Sequence, residues 1–453
     1  MNPEASLPTS DFTRRDFLRG GSLAAMMTML GAIPLRAEEA AKPAEDKPVI
    51  KLKTAVIGCG VWGREILTTL QRVPQADVVA ICDTYESAAK RSAKLAPNAK
   101  AGADYQAVLA DKEVQAVIVA TPTHQHKDIA IAALKAGKHV YCEAPLAHTV
   151  DDAKAIAKAA QEAFKQVFQP GLQMRSDPQN WFLLPFMRSA PLGKNAKATG
   201  SWGKKTSWRL SSPNPEREKE INWRLDKALS LGLVGEIGIH QIDRLVWFMG
   251  SQPMAVRGYG AVNFYKDGRE VPDTIEAFFE FTDGTFLDYT ATLVSSFQGE
   301  FEILQGSDAS ILMRGSRAWM VQEVDAPLFG WQVYARKESV GEDTGIVLRA
   351  DASKQKVAVG GAAVAAPETS SLQYALENFL GNCGEINAAV EDYAAAFDTK
   401  DTKAFAENIH GIKLRNAATA LDGYAATVLA IKAHEAIMKR GHLELHKGLF
   451  ELA

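Results

Sequence analysis

"AVIGCGVWGREI", residues 55–66, is the stretch whose reading decides the fold. Ala55–Ile57 ends an apolar run that begins at Leu52, and a helical pattern, "VWGREILTTLQRV", opens directly after the glycines. Gly58, Gly60 and Gly63 stand at Gly-x-Gly-x-x-Gly spacing between the two. In such a turn the first glycine permits the tight bend and the second lets a pyrophosphate approach the backbone. The third lets helix and strand pack closely, and the helix N-terminus faces the phosphates. A glycine turn without a ligand is the alternative, but the strand-turn-helix context favours a dinucleotide site. Val61 and Trp62, which open the helix, are expected in that site. Asp83 closes the next apolar run, 20 residues after Gly63. An acid there is placed for the adenosine ribose hydroxyls and would repel a 2′-phosphate, so NAD is expected rather than NADP.

Outward from this motif the pattern keeps alternating. "ADVVAICD", "VQAVIVAT" and "HVYCEAP" read as buried strands, with amphipathic helices between them and Thr149 as the N-cap of the next helix. Continuous apolar strands spaced by helices predict a doubly wound parallel sheet. Past residue 170 the text changes. Between residues 254 and 323 it becomes rich in alternating strands, with Asp283-Gly284 as a hairpin signal, which suits an open antiparallel sheet with one covered face. Residues 324–370 read as loops with an insertion, and the remainder as mostly helical, ending in "GYAATVLAIKAHEAIMKRG". The expected fold is α/β. A Rossmann domain spans 51–170, and a substrate and oligomerisation domain, α/β with an open antiparallel sheet, spans 171–453.

The bulk numbers fit. The 453 residues exceed one ordinary core, and 47% hydrophobic with 23% charged residues is a globular balance. A net charge of -3 offers no basic field for nucleic acid. The four cysteines are too scattered for a zinc site and read as buried apolar residues, so no metal is expected. The N-terminus carries Arg14-Arg15, then Phe17-Leu18, an apolar run from Leu23 to Leu35, and "LRAEEA". This resembles a twin-arginine export signal over residues 1–38, with a linker at 39–50. That run is shorter than the ~20 residues that span a bilayer, so no stable span is expected after signal removal. The expected location is the periplasm.

Two further segments point to chemistry. "ATPTHQH" ends a strand, placing Thr121, Pro122 and His126 where the nicotinamide end of a dinucleotide would lie. In "GEIGIHQID", a helix continuous from Gly235 would put Glu236, His240 and Asp243 on one face. An imidazole able to take a hydroxyl proton, with a carboxylate to orient it, is what acid–base work at a hydroxyl carbon needs. The two glycines suggest close approach of a ligand or of backbone. Arg175 and Arg224 are candidates for binding substrate hydroxyl or carboxylate groups, Asp243 is a further substrate-binding candidate, and Trp223 is one for stacking on a sugar.

These segments, together with "CEAP" at 142–145, resemble the Gfo/Idh/MocA family of NAD(P)-dependent sugar oxidoreductases, from about Leu52 to the last helix. The resemblance implies a Rossmann domain, a second domain on an open sheet often used for oligomerisation, and a last helix packed back on the first. In the family's dehydrogenases a turn reads Glu-Lys-Pro and a helix carries Asp-x-x-x-His. By position these fall on Glu143-Ala144-Pro145, Glu236 and His240, so the usual catalytic lysine is Ala144 here. Glu143 and Pro145 keep the turn beside the cofactor, with Pro145 a candidate cis proline. The implied function is an exported NAD-dependent oxidoreductase on a sugar, cyclitol or glycoside, with a resident cofactor. The alternatives are a redox-neutral NAD-dependent glycosidase or lyase and a non-catalytic sugar-binding relative.

Overall fold

The computed structural model describes residues 49–350 and 369–452. The expected export signal and nearly all of the linker lie outside the described residues. The first sheet has six parallel strands: β1 (Leu52–Ile57), β2 (Ala76–Cys82), β3 (Lys100–Gly102), β4 (Ala116–Val119), β5 (His139–Cys142) and β6 (Phe168–Pro170). Their spatial order is 3-2-1-4-5-6, so the chain reverses direction between β1 and β4. Crevices outside the strand ends at such a reversal are where doubly wound sheets bind ligands. The cysteines are free and buried, as their apolar surroundings suggest.

The second sheet has ten strands in the order 14-15-13-12-11-7-10-9-8-16. They are β7 (Asn195–Gly203), β8 (Ala255–Ala261), β9 (Thr274–Glu280), β10 (Phe286–Thr292), β11 (Glu300–Gly306), β12 (Ala309–Arg314), β13 (Arg317–Gln322), β14 (Lys337–Val340), β15 (Asp343–Val347) and β16 (His442–Glu444). Asp283-Gly284 turns β9 into β10, with Gly284 at φ 85°. The sheet is mixed rather than purely antiparallel, because β7 lies parallel to β10. A strand reading "NAKATGSWG" has Thr199 as its one β-branched residue and two glycines, so only its neighbours reveal it. The hairpin β14–β15 also corrects the reading of 324–370 as loop. Its edge residues are largely exposed and charged, which hides the alternation.

Two helices tie the domains together. Ser371–Ala396 falls within the expected second domain, yet Leu372, Leu376, Phe379 and Ile386 pack in one core with Leu52, Ile66 and Ile118 of the first. The last helix, Ala420–Lys439, is buried on nearly every side. Tyr424 and Val428 join the first domain, while Leu429, Ala433 and Ile437 join the second.

Arg175 strengthens this junction, which corrects its expected role. Its guanidinium grips Asp243 through Nε (2.9 Å) and an NH2 group (2.8 Å), and reaches Asp422 on the last helix at 3.0 Å. Asp243 is buried and neither it nor Arg175 lines the cleft described below. A planar fork that matches a carboxylate is satisfied here by protein rather than by substrate. Arg175→Ala leaves Asp243 buried and unpaired. Urea denaturation at pH 7 should show a loss of about 3–5 kcal/mol, and a smaller loss near pH 4.5, because burial already pushes the Asp243 carboxyl up and protonation relieves it.

Candidate active site

The glycine turn is built by close approach. Gly58 has φ 96°, and a Cβ there would lie 2.5 Å from the Ala120 carbonyl. A Cβ on Gly63 would stand 1.9 Å from the Gly58 oxygen, so helix Val61–Leu70 lies directly against the turn. A Cβ on Gly60, by contrast, would meet nothing within 4 Å, because that position faces an open cleft. The helix has no side-chain cap, which leaves its first N–H groups for a ligand. Asp83 is positioned by its neighbours: Oδ2 accepts from the Cys59 N–H and Oδ1 from the Tyr85 N–H, both at 2.8 Å. A backbone cradle open to a pyrophosphate, with a fixed carboxylate at the end of β2, fits a dinucleotide.

One cleft of about 2010 Å³ runs from this turn to the second domain. It is lined by Gly58, Gly60, Val61, Trp62, Asp83, Thr121, Pro122, His126 and Glu143, and on the far side by Trp223, Arg224, Glu236 and His240. Gly63 and Pro145 stand behind the wall and shape it. The Ala144–Pro145 peptide is cis, and Ala144 itself faces the cleft.

Glu143 is buried, with Oε1 lacking a partner. Burial pushes its carboxyl up to about 7, against the opposing pull of the Trp62 side chain and the Ala144 backbone. Room for it comes from Gly171, where a Cβ would come within 2.5 Å of Oε2. His126 is not free for chemistry. Its Nδ1 lies 2.9 Å from the Pro145 oxygen and Nε2 2.9 Å from the Thr121 oxygen. Two carbonyls favour a charged ring, but burial outweighs them and lowers it to about 4. The ring thus ties the Thr121 strand end to the 143–145 turn.

The helix expected from Gly235 onward is broken. One short helix, Gly232–Glu236, ends at Ile237 (φ -124°, ψ -54°), and the next, Gly238–Met249, begins after it. Glu236 therefore does not sit one turn above His240. Its carboxylate accepts from Thr123 Oγ1 (3.0 Å), the Leu231 N–H (3.2 Å) and Ser230 Oγ (3.4 Å), and no hydrogen bond joins it to His240 among the described residues. Burial raises its carboxyl, with the Arg224 charge opposing. The "GEIGIH" glycines serve protein contacts: a Cβ on Gly235 would strike Leu231 at 2.2 Å, and one on Gly238 the Tyr289 ring at 2.7 Å. His240 opens on the cleft but is surrounded closely enough that burial holds its imidazole down to about 4.

Several wall residues were not anticipated. His124, two residues before His126, faces the cleft with Nδ1 unpartnered, its ring 6.0 Å from Trp223 and 6.3 Å from His148. Gln241 and Glu300 also line it, as do residues between Lys204 and Ile221. Sequence shows two histidines at a helix start but not which one turns inward.

These ionisations have opposite signs. Glu143 goes from 4.5 unfolded to about 7 folded, so stability falls as pH rises through that window and is constant above it. For His126 and His240, 6.5 becomes about 4, so stability falls as pH drops through that window. Glu143→Gln should stabilise the dinucleotide-free protein at pH 8 by up to about 3 kcal/mol, with almost no gain at pH 4, read by urea denaturation. An equal gain at both pH values would trace the effect to packing instead of charge.

Residues 52–170 match the profile of an oxidoreductase family with an NAD-binding Rossmann fold, and 194–312 match the GFO/IDH/MocA C-terminal domain. Inositol 2-dehydrogenase of Salmonella typhimurium is 30% identical over 210 residues, which is 46% of this chain and 57% of that enzyme. Levoglucosan dehydrogenase of Pseudarthrobacter phenanthrenivorans is 30% identical over 32% of this chain and 36% of its own length. The sequence likeness thus spans little more than half of these relatives at most. An oxidoreductase domain protein from Kribbella flavida has the same fold, with TM-score 0.66 and 19% identity over 88% of this chain and 100% of that one. So does a levoglucosan dehydrogenase in complex with NADH and levoglucosan, with TM-score 0.64 and 18% identity over 88% and 100%. The two profile matches, one on each domain and either side of the cleft, place this chain in the Gfo/Idh/MocA family.

Proposed function

We propose that this protein is an NAD-dependent oxidoreductase acting on a hydroxyl of a sugar, cyclitol or glycoside. The observation that carries the reading is the continuity of one cleft from the Gly58–Gly63 turn to His240. NAD rather than NADP is supported by Asp83, whose carboxylate stands where a 2′-phosphate would need a cation. A bound nicotinamide dinucleotide supplies the hydride-accepting chemistry. The chain supplies a backbone cradle at Gly58–Trp62, a wall for the substrate at Trp223 and Arg224, and a proton acceptor at His240. Burial holds the imidazole down to about 4, so at pH 7 the ring is neutral with a lone pair available to the hydroxyl proton, and it is a weaker base than a solvent-exposed histidine until a bound group offsets the burial. Glu236 acts differently from an orienting partner. Bound to Thr123, it braces the first domain against the second at the cleft floor.

Ala144 stands where the resembled dehydrogenases carry lysine, so no ammonium assists from that turn. The twin-arginine-like leader supports export of the folded protein to the periplasm. An enzyme working there must bring its dinucleotide with it, because free nicotinamide cofactor is kept in the cytoplasm. The open sheet is the proposed surface for a homo-oligomer.

The test is to denature the purified protein and quantify released NAD and NADP by mass spectrometry, then offer inositol and levoglucosan while following nicotinamide absorbance. Near one equivalent of NAD and an absorbance change are expected. His240→Ala should lower turnover by ~10²–10⁴-fold, while NAD content stays near one equivalent. Unchanged turnover would remove His240 as the base. Glycoside cleavage without net absorbance change would instead assign redox-neutral chemistry.

A further inference from the structure

One segment of the second domain crosses the cleft and meets the dinucleotide domain. After β7 the chain runs through residues 204–222, including a short helix, Pro215–Ile221. Its base is anchored to the second sheet. The N–H groups of Lys204 and Thr206 donate to the Thr292 and Leu293 carbonyls at 3.0 Å each, and the Lys205 N–H to Ser296 Oγ at 2.7 Å. Arg209 donates to the Asp267 carbonyl at 2.9 Å, and Arg269 donates back to the Ser207 carbonyl.

The segment is also braced within itself. Leu210 and Asn222 exchange two hydrogen bonds of 2.8 Å, and Arg209 pairs with Glu218 at 2.6 Å. Trp208 holds a left-handed backbone, φ 63°, a strained conformation for a bulky residue that the surrounding bonds must sustain. These bonds hold the segment together as one braced unit.

Its far end reaches the place where the adenosine would lie. The Arg217 guanidinium sits 4.3 Å from the centre of the Tyr85 ring. Tyr85 is two residues past Asp83 and its backbone N–H is bonded to that carboxylate, so the residue is rooted at the ribose end of the site. Arg217 reaches Glu220 at 3.2 Å through one NH group, while its Nε is shielded from solvent with no acceptor. Leu210, Ser211, Ser212 and Pro213 of the segment line the same cleft as Tyr85 and Arg217. A cation over an aromatic face is attracted to it, more strongly when water is excluded.

We propose that residues 204–222 form a strap closing over the adenosine end of the dinucleotide, latched by Arg217 on Tyr85, so that the cofactor enters and leaves only when this contact opens. This inference rests on the dinucleotide reading above and deepens it: it explains how an exported enzyme keeps its cofactor bound. A latch that covers the site slows entry and exit alike. An arginine that only touched the cofactor would slow exit alone.

The experiment uses the full-length NAD-loaded protein mixed with excess deuterated NAD, with exchange followed by mass spectrometry of the protein-bound pool. Association of NAD to stripped protein is measured by quenching of tryptophan fluorescence. Arg217→Ala and Tyr85→Ala should each speed exchange about 10-fold and speed association as well, so that Kd changes less than the release rate. Tyr85→Phe keeps the ring face and should exchange like the wild type. This pair preserves the test if the arginine variant fails to fold. Exchange unchanged in both alanine variants, or faster release with unaltered association, overturns the latch while leaving NAD binding intact. Wild-type protein that neither carries nor binds NAD overturns the dinucleotide reading itself.

Discussion

The N–H of Leu146 donates to the hydroxyl of Thr427 at 3.0 Å, with both residues wholly out of solvent. This bond hangs the Glu143–Pro145 turn on the last helix, and the helix in turn belongs to both domains. A Cβ on its Gly423 would strike Pro170 at 2.4 Å, so β6 lies directly on the helix. Further along, Ala433 and Ala436 let it lie close to the second sheet, and a Cβ on Gly258 of β8 would meet its backbone at 2.4 Å. Burying Val428, Leu429, Ile431 and Ile437 contributes about 1.5–3 kcal/mol for each side chain. The close approaches at Gly423 on one domain and at Gly258 on the other leave the helix little room to rotate.

The Arg175 cluster works on the same junction with charge. Asp243 comes from the helix that carries His240, Asp422 from the last helix, and Arg175 from the segment following β6. Asp422 also caps its own helix by accepting from the Thr419 N–H at 2.8 Å. Three elements meeting on one guanidinium leave little freedom for the helix behind His240. The cleft itself is the reverse case. There Glu143 has an oxygen without a partner, burial disfavours the charged form of His240, and Glu236 faces Thr123 across the domains. Burial without compensating charge costs stability, and such sites are where bound groups supply the missing partners.

What could be read from the residues depended on the range of each constraint. The glycine turn was legible because Gly58 needs φ 96° and Gly63 tolerates no Cβ, and both requirements arise within six residues. The Asp283-Gly284 hairpin and the Thr149 cap are of the same kind. The break at Ile237 was not legible. It lies beside Gly238, which packs against Tyr289, 51 residues away on β10. Likewise His124 and His126 look alike as text, and only the carbonyls of Thr121 and Pro145 distinguish them. Arg175 and Asp243 had the residue types of a substrate site, but they satisfy each other.

By itself, then, the sequence determined the parallel α/β fold, the strand end on which a dinucleotide would sit, and the presence of a second sheet. Local backbone geometry and the period of the apolar residues are written in consecutive letters. Tertiary structure decided which polar groups face the cleft, which are engaged behind it, and that residues 204–222 reach across to Tyr85. Those outcomes depend on side chains far apart in the chain competing for the same partners. No local pattern records which partner is nearer once the core has closed.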